Sequence, residues 1–165
     1  MIKILCLSMM FGLFGYVGLS LGKNYTEKAN FLNDIIFFIR NIKSEIAFLK
    51  TDLIKICENY ECKSKLKNVL EKYLNLLKNN EEISAENLFK IFDENILTEN
   101  ENRILIELFS SLGKLNMEEQ LNKLNAFENL FIPIYENQVK NNSKYVPLCN
   151  KMGFLMGALV CIVLI

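Results

Sequence analysis

Lys144 to Ile165 reads KYVPLCNKMGFLMGALVCIVLI, and from Met152 to its last residue this run carries no charge. A helix over Val146 to Ile165 rises about 30 Å, the thickness of a bilayer's hydrocarbon layer, with Lys151 placed to snorkel to the near interface. Left in water, an apolar surface of that size invites aggregation. The reading is therefore a transmembrane helix over 146–165, and the preceding chain is read as leading toward a membrane.

A second run answers it at the other end. Ile4 to Gly22 is uncharged over nineteen residues, between Lys3 and Lys23, which is long enough to cross a bilayer as a helix. Its ending, Ser20-Leu21-Gly22, also has the small-x-small form of a signal-peptide cleavage site. The run is longer than an ordinary signal core, and KNYTEKANFLNDIIFF continues a helical pattern behind it. The expectation is an uncleaved anchor over 1–22; the alternative is a secreted or surface-anchored helical binding protein released at Gly22.

Small residues mark both runs. Ser8, Gly12, Gly15, Gly18 and Gly22 recur every three or four residues and draw one stripe, and Gly153 and Gly157 with Cys161 draw another. Such stripes let membrane helices approach closely, so the two are expected to pack on each other or on a partner's helices. Lys140, Lys144 and Lys151 precede the last run and nothing basic follows it. The positive-inside rule then puts the middle of the chain, 23–145, in the cytoplasm and both termini outside, as a two-pass protein.

Composition removes most enzyme readings. The chain of 165 residues is 51% hydrophobic, carries 19 basic and 19 acidic residues, and has no histidine. The commonest general base and metal ligand is absent, and with it any Ser-His or Cys-His arrangement. The balanced charge gives no reason to expect nucleic acid. Of the five cysteines, Cys57 and Cys62 are spaced neither as a redox pair nor as a zinc site, and all are read as reduced. The adjacent carboxylates Glu81–Glu82, Asp93–Glu94 and Glu118–Glu119 fall at predicted loops or helix ends, where they are solvated or favoured by the helix dipole. No catalytic residue, cofactor site or metal site is expected.

The middle reads as all-helical. Neither Pro nor Gly interrupts Lys23 to Leu112, and strand-like alternation is missing. Phe31, Ile35, Phe38, Ile42, Ile46 and Leu49 form one seam, widened by Leu32, Ile36 and Ile39, which predicts a central helix with several neighbours. Thr51 is the expected cap of a short helix bearing Leu53, Ile54 and Cys57. A third helix over 64–78 turns Leu66, Leu70, Tyr73, Leu74 and Leu77 inward, and after the loop NNEEI a fourth starts at Ser84 with Leu88, Ile91 and Phe92 inward. Thr98 with Glu101 spells a capping box, and Asn116 with Glu119 resembles another. Ile104, Leu105, Leu108, Phe109 and Leu112 lie between them, with Gly113 as a left-handed stop. The last helix starts near Met117 and carries Leu121, Leu124, Phe127, Phe131 and Ile134 inward, with Pro133 and Pro147 as expected kinks. The fold class is all-α: a bundle of about six helices flanked by N- and C-terminal transmembrane helices.

Three places then carry a family likeness: Ile42-Lys43-Ser44-Glu45-Ile46 followed by Leu53; Ser111-Leu112-Gly113 followed by Met117-Glu118-Glu119-Gln120; and Lys144-Tyr145 through Met152-Gly153-Phe154-Leu155-Met156-Gly157. In this order and spacing the chain resembles the stage III sporulation protein AB family. It departs in the stretch NNSKYVPLCNK, which has fewer basic residues than the family usually shows and inserts Pro147. The resemblance implies a membrane scaffold of the sporulation channel complex between mother cell and forespore. It implies a domain similar to the cytoplasmic domain of F-type type II secretion proteins, linking an ATPase of the stage III AA type to the membrane ring alongside other stage III membrane proteins. Glu45 and Gln120 are the residues expected to meet a partner.

Overall fold

The computed structural model describes residues 2–49, 52–62, 64–79, 83–92 and 96–164. Among them are six α-helices and no strand: α1 Ile2–Ser44, α2 Leu53–Asn59, α3 Leu66–Lys78, α4 Ala85–Ile91, α5 Glu99–Ser111 and α6 Met117–Leu164, with a π-helical turn at Glu45–Leu49 after α1. Thr51, Glu81, Glu82, Asp93 and Glu94, and the side chains of Cys6 and Leu49, lie outside the described residues. The chain packs as two units, one from the residues up to Ala29 with those from Glu136 on, the other Asn30–Tyr135.

The second unit is built on the seam of α1. Phe31, Leu32, Ile35, Ile36, Phe38, Ile39 and Ile42 are all buried, and Ile46 packs against the same core. A helix apolar over this much of its girth must be covered on several sides. The coverage is aromatic at its centre. Phe38 stacks on Phe109 at 5.8 Å and meets Tyr60 edge-on at 5.0 Å, while Phe109 also contacts Tyr73 at 4.8 Å and Phe92 at 5.2 Å. Such pairs add about 0.5–1.5 kcal/mol each beyond the area they bury.

The helix limits follow from local chemistry. Ser84 accepts from the Asn87 amide to start α4, and Thr98 and Glu101 make the full reciprocal box at the start of α5. Asn116 Oδ1 accepts from the Glu119 amide at 2.9 Å before α6. Gly113, at φ 74°, turns the chain after α5 in the conformation a side chain disfavours.

Other expectations are corrected. The N-cap of α2 is Asp52, not Thr51, and its side chain makes no capping bond. In α2 Ile56 joins Cys57 in the core, with Leu53 packed against it and Ile54 half-buried, and Val69 and Ile106 are buried beside the predicted α3 and α5 residues. Leu121 is only half-buried, whereas Leu124, Phe127 and Phe131 are fully inside. The helix α6, in which Pro133 and Pro147 are the expected kinks, continues through both residues.

Polar links complete the second unit. Tyr60 donates its hydroxyl hydrogen to the Asp34 carbonyl at 3.0 Å, and the Asp34 carboxylate accepts from the Ser64 amide at 3.2 Å, tying the α2–α3 connection to α1. Burial, and next the negative charge of Asp34, push the Tyr60 hydroxyl's pKa up. Across the bundle Glu128 of α6 takes Arg40 Nε and Lys43 Nζ of α1, each at 2.6 Å. These bonds, Lys43's foremost, hold the Glu128 carboxyl below the ordinary carboxylate value.

Candidate functional site

Two places merit functional reading, one in each unit. In the first unit α1 and α6 meet through glycine. A Cβ on Gly18 would stand 2.8 Å from the Cys149 carbonyl oxygen and 3.0 Å from Gly153 Cα; one on Gly153 would stand 2.8 Å from the Phe14 carbonyl oxygen. At Gly22 the neighbours are Asn150 Oδ1 and Val146, and at Gly157 they are Phe11 and Phe14. Gly15 meets only the ring of Phe154, which itself lies 6.0 Å from the Phe11 ring. Gly12 has open space around it and stands outside this contact, so the stripe read from spacing splits into a packed part and an exposed member.

Away from the contact the same helix segments are apolar and uncovered. Tyr16 is 71% exposed and Ile162 74%, with Leu13, Val17, Leu155 and Leu159 more than half exposed. At the end nearer the second unit's sequence, Gln138 Nε2 donates to the Tyr25 carbonyl and to Asn142 Oδ1, both at 3.2 Å, and Tyr25 stacks on Tyr145 at 5.9 Å. Among the described residues one helix, Met117–Val163, is long and apolar enough to cross a membrane by length and composition, and almost none of its apolar window is buried. The earlier run, 4–22, lies wholly within α1.

The second unit holds both residues singled out for partner contact. Glu45 is half-buried in the π-helical turn. Gln120 is 3% exposed and points into the domain, where its Oε1 accepts from the Gly113 amide at 3.2 Å. Because the Gly113 amide can only donate, the amide of Gln120 is oriented, and its Nε2 is left buried with no hydrogen-bond partner. Gln120 therefore supports the α5–α6 turn from inside. Beside it a cavity of about 220 Å³ opens between the start of α2 and the α5–α6 turn. Sequence reasoning missed this recess and the Asp34 links, since neither has a spacing that announces it.

The thiols are chemically quiet where they are buried. Burial, with a smaller contribution from the Glu58 charge, pushes Cys57 up to about 12, and Cys62 rises to about 11, chiefly through burial. A nucleophilic cysteine needs the opposite shift.

The fold thus defines an all-helical protein whose last helix is fit to associate with a membrane. The chain belongs to the stage III sporulation protein AB family, whose model matches residues 3–165. It is accordingly a stage III sporulation protein, and other proteins of that stage are the partners its membership suggests. No curated protein and no solved structure matches the chain.

Proposed function

We propose that the chain is a non-enzymatic, two-pass membrane scaffold of the sporulation channel complex. Residues 1–22 and 146–165 are its spans, and 23–145 form a cytoplasmic domain akin to that of F-type secretion proteins. The observation that carries this reading is the glycine contact of Gly18 with Gly153, surrounded by outward apolar side chains. Close backbone approach with an apolar exterior suits two helices in lipid, where small residues at the seam favour association. A helix continuing unbroken through Gly22 supports an anchor over a cleaved leader.

The domain's work in this reading is to hold partners: an ATPase of the stage III AA type on the cytoplasmic side and other stage III membrane proteins at the ring. Glu45 and Gln120 are the proposed contact residues. Protease treatment of intact mother-cell membranes, with the mass of the mature N-terminus, tests the topology. An intact N-terminus and a domain cut only after the membrane is opened are expected. A chain beginning at Lys23, with its domain cut from outside, overturns it. Co-purification from sporulating cells tests the scaffold role, which fails if the solubilised chain retrieves no stage III protein.

A further inference from the structure

The cavity at the α5–α6 turn is open and mostly apolar, and its floor is made by side chains of the core and its margin. Leu53, Ile56 and Leu112 form its walls, and Leu115 and Met117 stand at it 39% and 43% exposed. At about 220 Å³ it is smaller than the pockets that bury a drug-sized ligand or cofactor, about 300–1,000 Å³.

Two polar groups limit what fits. Gln120 also lines the cavity, and its Nε2 is a buried donor with no acceptor, in an orientation set by the bond from the Gly113 amide. A buried donor without a partner is costly, and an entering acceptor would recover that cost. Asp52, exposed at the other side of the cavity, makes no capping bond with its carboxylate and so presents a negative charge there.

We infer that this cavity is a docking pocket for a partner polypeptide that inserts one aliphatic or methionine side chain. A peptide carbonyl beside that side chain accepts from Gln120 Nε2, and a neighbouring Lys or Arg faces Asp52. Nε2 is buried, so the bond forms only as the entering chain shifts the lining of the cavity. The pocket deepens the scaffold reading and rests on it, since a scaffold needs places where partners seat.

The test uses the full chain in detergent micelles with ¹⁵N-labelled glutamine, the Gln120 side-chain signal being identified by its loss in Gln120→Leu. The probes are three capped tetrapeptides: Gly-Lys-Leu-Gly, Gly-Lys-Gly-Gly without the anchor, and Gly-Glu-Leu-Gly with the charge reversed. The first is expected to move the Gln120 signal saturably, with the other two weaker by about tenfold or more. Leu115→Arg, at an exposed position, is expected to abolish the shift while far-ultraviolet circular dichroism stays unchanged. Equal response to all three peptides, no movement of the signal, or a shift that tracks protein concentration as a second copy docks, overturns the pocket. Co-purification separates the two ideas. If wild type and Leu115→Arg retrieve stage III proteins equally, the pocket falls and the scaffold stands; if wild type retrieves none, the scaffold itself falls.

Discussion

Gly18 and Gly153 touch backbone to backbone: the Cα of each lies within 3.0 Å of where the other would carry a Cβ. No flexible side chain stands between them, so neither helix can give way locally. Gly18→Leu or Gly153→Leu is expected to destabilise the chain by about 1–3 kcal/mol, the usual cost of overpacking. Gly12→Leu, in open space, is expected to be near neutral. Equilibrium unfolding in a mild detergent checks the contrast, and equal losses at positions 12 and 18 would contradict it.

Glu128 gives the second unit an acid-sensitive clamp. Its carboxyl is held below the ordinary value of 4.5 by Lys43 and then Arg40, so the bound form is the charged one. The stabilisation is full above that ordinary value and is lost as pH falls through the lowered one. Glu128→Gln is expected to cost about 1–2 kcal/mol at neutral pH, less than a fully buried pair because Arg40 is half exposed. The variant should also lose part of the acid limb of the stability curve, as measured by urea titrations between neutral pH and pH 3.

Tyr73 donates its hydroxyl hydrogen to the Phe109 carbonyl at 3.1 Å, with its ring edge-on to the same residue. Tyr73→Phe keeps the ring contact and removes the donor, and is expected to cost about 1–2 kcal/mol. Tyr73→Ala adds a cavity and is expected to cost about 3–5 kcal/mol. Urea midpoints of the two variants, compared at equal slope, separate the bond from the packing.

Cys57 is buried and its thiol stays protonated to about pH 12. At pH 8 a maleimide is expected to leave it unmodified in the folded chain and to label it promptly in urea. Peptide mapping reads this directly, and fast native labelling of Cys57 would mean that α2 does not pack as described.

The core seam of α1 and the starts of α4 and α5 were legible because their signals are local. Spacing fixes which side of a helix is apolar, and Ser84 or Thr98 caps by reaching only three residues along the chain. The short α2 was harder. Its one-sided burial over seven residues depends on how it lies against α3, and periodicity over so short a run did not mark Ile56, which packing buries. The glycine stripe shows the same limit: spacing puts Gly12 with Gly15, Gly18 and Gly22, but only where the helices cross does a small residue meet a neighbour.

By itself the sequence determined the helical class, the order of the elements, the apolar ends and the absence of histidine chemistry, since each follows from composition or from contacts within a few residues. Tertiary structure decided the rest. Only the meeting of distant segments sets Glu128 between Arg40 and Lys43, hangs Tyr60 and Ser64 on Asp34, and opens a recess beside Leu115. A hydrogen bond or a cavity between such segments depends on where three-dimensional packing brings them, and no one-dimensional pattern records that distance.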